Sequence, residues 1–157
     1  MILTTNTIVK GLAPALVIAA LGTSTAGASE VTSEKRFADG VRVTHLRPGS
    51  VGSLCGARRF CVWADVGFEG IQASFPRCSR NRPKTYDLTK YGLPPGKPRG
   101  FVFSGVSSYR NNMGRGYTAQ FLGIQGLPLL RVHTPGGRNM PRSMNDEAAE
   151  VDMLCVP

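Results

Sequence analysis

The chain has 157 residues, and 19 lysines and arginines against 10 aspartates and glutamates give it a formal net charge of +9. Such a length is typical of a single domain. Beyond the first 28 residues no segment is apolar and long enough to cross a bilayer, which excludes a protein with several membrane spans. A surplus of positive charge favours anionic partners through an attraction that weakens as salt is added.

The first 28 residues have the pattern of a secretory signal peptide. Lys10 precedes an apolar run from Leu12 to Leu21, and the small residues 26–28 form a cleavage site. A membrane anchor is the alternative, but a spanning helix needs roughly 20 apolar residues and this run is about half as long. We therefore predict export and cleavage after residue 28. The mature chain, residues 29–157, loses only Lys10 among the charged residues, so its formal charge is one lower, +8.

Residues 29–54 are predicted to form an N-terminal extension, and residues 55–157 a single domain. The extension is mostly polar, and its alternating stretch "VRVTHL" is either loose chain or one edge strand. The stretch from Cys55 to Arg142 contains fourteen lysines and arginines but only three acidic residues, Asp65, Glu69 and Asp87. Four acidic residues crowd the last twelve positions, so a basic body precedes an acidic tail.

Four cysteines, an even number, are expected to form two disulfides in an exported protein. We favour Cys55 with Cys61, which closes a short loop, and Cys78 with Cys155, which ties the C-terminal tail to the body. The other two pairing schemes stay open. The cysteines do not stand in the short ligand pairs of zinc sites, and the two histidines are isolated. We therefore expect neither a metal nor a cofactor.

Short runs typical of β-strands follow one another through the domain, and turn residues separate them. They predict an all-β sandwich. The stretch "MNDEAAEVDML" instead favours a turn or two of helix. Residues 80–100, rich in proline, glycine and basic residues, form a long connection of the kind that is usually functional or mobile. The predicted strand sequences are "RRFCVWAD", "IQASF", "GVSSYR", "YTAQFL" and "LLRVH".

An aromatic hairpin pattern begins at Trp63 and continues with Phe68 and Gly70. Together with the serines of "GVSSYRNN", it resembles the βγ-crystallin Greek key, in which such a hairpin folds over and a serine hydroxyl fixes it. The resemblance implies Ser107 as that serine. The wider pattern over residues 55–123, including "YDLTKYGL", is similar to the exported actinobacterial peptidase inhibitors of this fold, the family of the small metalloproteinase inhibitor.

Two departures from the βγ-crystallin pattern change what the resemblance implies. Phe103 and Ser104 stand where the calcium-binding members have Asp or Asn, so we expect no calcium there. The second motif is degenerate, since Gly126 and Pro128 replace its second aromatic residue and its glycine. The resemblance thus implies a βγ-crystallin-like Greek-key sandwich with one regular motif.

No known catalytic motif occurs in the sequence, so we do not expect an enzyme. The resemblance implies a monomeric secreted inhibitor that binds an extracellular peptidase, a metallopeptidase in particular, through a surface or loop. The alternative is a cationic effector that binds anionic cell envelopes; nucleic acid is not expected as a partner, because the protein is exported. Lys97 and Arg99, in the proline-stiffened "LPPGKPRG" segment, are the candidate partner-binding residues, against the alternative of a solvated crossover.

Overall fold

The computed structural model describes residues 31–50, 55–79, 82–95 and 105–155. Within them the chain forms ten strands and two single-turn 3-10 helices, Leu88–Tyr91 and Ile124–Gly126, and the paired strands are antiparallel, which confirms the all-β class. No helix in these ranges has the length and hydropathy of a membrane span, and the predicted signal peptide lies outside them. The strands are β1 (Val31–Arg36), β2 (Arg42–Leu46), β3 (Arg59–Asp65), β4 (Glu69–Pro76), β5 (Lys84–Asp87), β6 (Ser108–Asn112), β7 (Tyr117–Leu122), β8 (Pro128–Val132), β9 (Gly136–Asn139) and β10 (Glu150–Cys155).

Two sheets enclose the core. One has six strands in the order β1-β2-β4-β3-β6-β9, and the other has four in the order β5-β10-β7-β8. Alternate residues of β3, such as Phe60 and Val62, belong to the main core together with Phe121 of β7, and the rings of Phe60 and Phe121 are 5.6 Å apart. The remaining residues of β3, Cys61 and Trp63, point to the outer face of the larger sheet.

The two halves of the sandwich follow the same path and exchange a strand. After the β3–β4 hairpin, β5 joins the opposite sheet and β6 returns beside β3; after β7 and β8, β9 joins the opposite sheet and β10 returns beside β7. Equivalent backbone bonds mark the repeat: the Ser107 amide donates to the Trp63 carbonyl over 2.9 Å, and the Ala149 amide to the Leu122 carbonyl over 2.8 Å. The first half is β3–β6 and the second is β7–β10, and the third strand of each half, β5 or β9, pairs in the other half's sheet. Each sheet is therefore complete only when both halves are folded.

The described part of the N-terminal extension belongs to the sandwich, which corrects the domain boundary expected at residue 55. β1 and β2 form a hairpin, and β2 pairs with β4 through residues such as Thr44 opposite Gln72. Val41 and Val43 are buried in the main core. The alternation of "VRVTHL" thus forms an interior strand, and the edge strand is β1, whose residues are all exposed and give no hydrophobic signal.

Two further regions differ from the sequence prediction. The connection over residues 80–100 contains the strand β5, which the sequence did not predict. Only one residue of this strand, Tyr86, is buried, so its sequence shows no alternation of apolar and polar residues. The stretch "MNDEAAEVDML" forms turns and then β10, and no helix. In β10 the residues Val151 and Met153 are buried, while Asp152 accepts a hydrogen bond from the Thr85 hydroxyl. The strand alternation therefore prevails over the helix-favouring composition.

Both favoured disulfides are present. Cys55 is bonded to Cys61, with their Cα atoms 5.7 Å apart, and Cys78 to Cys155, with Cα atoms 6.0 Å apart. No cysteine in the described residues is free. Two disulfides indicate that the protein folds in an oxidising environment.

A carboxylate ties the β1–β2 turn to the sandwich and is expected to make stability depend on pH. The Tyr91 hydroxyl and the Val41 amide donate to Asp39 over 2.5 and 3.2 Å. Burial alone would raise the pKa of Asp39, but these bonds and the charge of Lys84 outweigh it and lower the pKa below the ordinary 3.8. The bonds therefore stabilise the fold above about pH 4 and lose their effect as the pH falls through the lowered pKa.

We expect Asp39→Asn to lower the free energy of unfolding at neutral pH by about 0.5–1 kcal/mol. The difference from the wild type should shrink in urea titrations repeated between about pH 5 and pH 2. Tyr91→Phe, which keeps the ring but removes the donor, should show a weaker form of the same dependence. A pH-independent difference for both variants would show that the carboxylate does not act through its charge.

Candidate functional site

The β3–β4 hairpin folds over at its tip. Trp63 is fully buried, and the ring of Phe68 stands edge-on to it with centroids 5.2 Å apart. The turn takes positive φ at Gly67, Phe68 and Gly70, with values of 72°, 68° and 76°. Glycine adopts this conformation at little cost, and the contact with Trp63 offsets the cost at Phe68. Trp63, Phe68 and Gly70 are thus the residues that shape the tip.

The serine that holds this tip is Ser108, which corrects the expected role of Ser107. The Ser108 hydroxyl accepts from the Phe68 amide over 3.1 Å and donates to the Asp65 carbonyl over 2.8 Å. Ser108 lies opposite Trp63, on the outer face of the sheet, whereas its neighbour Ser107 must point the other way. The Asn139 side chain also accepts from the Gly67 amide over 2.9 Å, so two neighbouring strands fix the tip.

Ser108→Ala is expected to cost about 1–3 kcal/mol of unfolding free energy, because it leaves two partly buried backbone groups without their partner. The local effect should be faster hydrogen exchange at the Phe68 amide, which donates to Ser108. Ser107→Ala is the matched control, since it also removes one buried hydroxyl. Equal acceleration at Phe68 in both variants would contradict the assignment.

Ser107 instead joins the start of β6 to the loop of residues 141–149. Its hydroxyl donates to Asp146 Oδ1 over 3.0 Å, and the Asn145 side chain donates to Oδ2 over 2.8 Å. Asp146 is only 3% exposed, has a φ of 65°, and donates its amide to the Val106 carbonyl over 3.2 Å. Asp146 was not among the predicted site residues; the sequence signal for it is the pair Asn145-Asp146, because both residue types tolerate positive φ in turns.

The second hairpin, between β7 and β8, is built differently from the first. The Gly123 amide donates to the Leu127 carbonyl over 2.8 Å across the hairpin, and the Gly126 amide donates to the Gly123 carbonyl over 3.1 Å and closes a single 3-10 turn. Gln125 and Gly126 have positive φ, at 72° and 73°. The register places Leu122 where the first hairpin has Trp63, so no aromatic pair buries this tip.

Both tips lie at the same end of the sandwich. A series of hydrogen bonds links the two tips. The Ser107 amide bonds to the Trp63 carbonyl, and the Ser107 hydroxyl bonds to Asp146. In the same loop, the Ala149 amide bonds to the Leu122 carbonyl beside the second tip. A depression of about 290 Å³ between the second tip and this loop includes Ser143 and Glu147 in its wall. We define the hairpin end as the two tips, residues 65–69 and 123–127, with the start of β6 and the loop of residues 141–149.

The hairpin end displays aliphatic side chains to solvent. Val66 at the first tip is 60% exposed, and Ile124 and Leu127 at the second are 62% and 61% exposed. They are three of the four large hydrophobic residues that are exposed in the described part of the chain. Exposed apolar side chains on neighbouring turns can contribute to a surface that contacts another molecule.

Several predicted residues lie outside the described ranges. They are Lys97 and Arg99, the candidate partner-binding residues, and Phe103 and Ser104, on which the calcium prediction depends. The nearest described parts lie at the hairpin end: a Cβ on Gly105 would stand 3.0 Å from the Pro94 carbonyl and 2.9 Å from that of Asp146. Among the described residues, no three histidine, cysteine, aspartate or glutamate side chains are arranged to hold a metal.

Comparison with protein-family models, with curated proteins and with solved structures gives no match to this chain.

Proposed function

We propose that this protein is a secreted inhibitor of an extracellular peptidase, and that the hairpin end is its binding surface. The observation that carries the proposal is the display of Val66, Ile124 and Leu127 on two fixed tips at one end of a disulfide-bonded sandwich. Inhibition of this kind needs no catalytic group, only a surface that enters a partner's cleft. The metallopeptidase class is the target that the family resemblance implies.

The fold that we propose is a βγ-crystallin-like pair of Greek keys with a degenerate second motif. The exchange of β5 and β9 between the sheets supports it, because each hairpin is followed by a strand of the opposite sheet and a return beside its first strand. The folded-over aromatic tip and its serine, Ser108, support it for the first motif. The second motif has the same path without the aromatic pair.

Rigidity favours an inhibitory role for the tips. Ser108 and Asn139 hold the first tip, and the bond between Gly123 and Leu127 holds the second. A surface that is already in its bound shape loses little conformational entropy when a partner binds. The two disulfides also support secretion, because such bonds persist mainly in oxidising compartments.

The test is a panel assay of the oxidised mature protein against metallo, serine and cysteine peptidases. We expect stoichiometric inhibition of a metallopeptidase, with the chain intact at the end of the assay. Absence of inhibition in all three classes, or rapid cleavage of the chain, would overturn the proposal. Inhibition of a serine or cysteine peptidase alone would support the inhibitor function, but it would show that the family resemblance does not predict the target class.

A second candidate function, binding to anionic cell envelopes, is favoured by a basic corner at the opposite end of the sandwich. Arg77, Arg82 and Lys84 line a depression of about 380 Å³ there. The Arg77 guanidinium lies 4.8 Å from the Tyr117 ring centre, and Lys84 Nζ lies 4.7 Å from that of Tyr86. Sedimentation with anionic lipid vesicles would test it: binding should occur at low salt and weaken as salt rises, and absence of binding at low salt would reject it.

A further inference from the structure

The outer face of the six-stranded sheet carries a row of arginines that the hairpin end does not use. Residues paired directly across strands point to the same face. The pairing runs from Arg36 to Arg42, Ser74, Cys61 and Arg110 across five strands. Cys61 lies outside the main core, which places the whole row on the outer face.

A pocket of about 180 Å³ opens within this face, between β1, β2, β4 and β3. Arg42 and Arg59 form two of its walls, and the buried side chains of Thr44, Gln72 and Ser74 also line it. The pocket is therefore small, and its charged lining residues are two arginines and one carboxylate, Glu34. The full lining is Val31, Glu34, Arg42, Thr44, Leu46, Gly56, Arg59, Gln72 and Ser74.

Arg59 is fixed by neutral groups. Its Nε donates to the Ser74 hydroxyl over 2.5 Å, and its Nη2 donates to the carbonyls of Ser74 and Gly40 over 2.7 Å each. The ion pairs found in the described residues do not include Arg59. Burial and the neighbouring charge of Arg42 lower the pKa of Arg59, as expected for a cation in an electropositive site. Its position is thus fixed while its charge is not neutralised.

Arg42 is also poorly compensated. Its Nε is buried without a hydrogen-bond partner and lies 3.5 Å from Glu34 Oε1. That carboxylate oxygen already accepts from Arg36 Nε over 2.9 Å. Arg36 and Arg42 therefore share one carboxylate, and Arg59 has none among the described residues, so the three guanidinium groups and Glu34 together carry a charge of +2. The Arg42 Nε therefore has an ion-pair partner but makes no hydrogen bond, which leaves hydrogen-bonding capacity on this guanidinium group for a further acceptor.

We propose that this pocket binds a tetrahedral dianion, the terminal group of a phosphate or sulfate ester. The charge of the dianion matches the local +2, whereas a carboxylate would neutralise only half of it. Four oxygens can accept from several donors at once, here Arg42, Arg59 and the Thr44 hydroxyl, which line the same pocket. The proposal is independent of the inhibitor function, because the pocket lies on the sheet face and the inhibitory surface is at the hairpin end.

The test is titration of the oxidised protein with inorganic phosphate, sulfate and acetate, followed by NMR of the arginine Nε–H signals and by thermal unfolding. Phosphate and sulfate should both give saturable shifts at Arg42 and Arg59 and raise the melting temperature. Phosphate should bind more tightly at about pH 8 than at about pH 6, since it gains its second charge in this range, while sulfate should not change. A preference for sulfate at both pH values would identify a sulfate ester as the natural source, and a preference for phosphate at the higher pH a phosphate ester.

Arg42→Gln is the diagnostic variant, because the Arg42 side chain is 42% exposed and its loss should leave the fold intact. We expect phosphate affinity to fall at least about tenfold. Arg115→Gln, an exposed residue of the β6–β7 turn, is the control with the same change in charge. Equal weakening in both variants, acetate binding as tightly as phosphate, or no saturable shift up to about 50 mM phosphate, where ionic screening is strong, would overturn the proposal.

Discussion

Replacing Cys78 and Cys155 together by alanine is expected to lower the free energy of unfolding by about 2–5 kcal/mol. The two cysteines are 77 residues apart, and loop-closure entropy alone gives about 4.5 kcal/mol for such a link. Cys78 is buried in the main core, and Cys155 packs against that core. The bond holds β10 to the end of β4, and β10 pairs with both β5 and β7. Its loss therefore weakens the whole four-stranded sheet.

Urea unfolding of the oxidised proteins measures this effect, with the Cys55 and Cys61 double alanine variant as the matched comparison. That pair closes a loop of only six residues, for which loop-closure entropy gives about 2 kcal/mol. The Cys78–Cys155 variant should thus be the less stable of the two. The reverse order would show that local packing around Cys61, and not loop length, determines the contribution of each bond.

Placing a charge on the hairpin tips is expected to have the largest effect on binding. In the variants Val66→Asp and Leu127→Asp, a complex would bury a carboxylate where the wild type buries an exposed aliphatic side chain. We expect each to weaken binding to the inhibited peptidase at least about a hundredfold, or about 2.7 kcal/mol. The free energy of unfolding should stay within about 0.5 kcal/mol, as is usual for surface positions.

Inhibition constants of the purified variants measure this effect. Val31→Asp serves as the control, since Val31 is an exposed aliphatic residue on β1, outside both tips. Replacement of Lys97 and Arg99 by serine tests the other proposed contact and should weaken binding at least about tenfold. If only the second change matters, the contact surface lies in the proline-rich connection and the tips are neutral.

The sequence indicated those parts of the fold in which burial leaves a regular pattern. β3 and β7 could be predicted as strands, because each is a short run rich in apolar and aromatic residues with turn residues at both ends. β9, with the sequence "GGRN", has no such residues and is held by its pairing with β6 and by the hydrogen bond of Asn139 to the first tip. A strand that is defined by its neighbour cannot be found from its own composition.

The error at the paired serines has a similar cause. Ser107 and Ser108 are chemically identical, and only the phase of β6 decides which one reaches the hairpin. Tyr109 belongs to the main core, so Ser108 and Arg110 must point to the outer face. The phase of β6 can be assigned only when the core side of the larger sheet is known. The packing of the two sheets against each other determines that side. The row of arginines could not be predicted from the sequence for the same reason, because its three arginines come from three different strands, β1, β2 and β6.

Hydrogen–deuterium exchange of the protein, free and bound to a peptidase identified by the panel assay, tests whether the hairpin end is the binding surface. We predict protection on binding at both tips, residues 65–69 and 123–127, and in the loop of residues 141–149. The β6–β7 turn, residues 113–116, lies at the opposite end of the sandwich and should exchange equally in both states. Protection at that turn with unchanged exchange at both tips would show that the partner binds elsewhere and would contradict the assignment of the hairpin end.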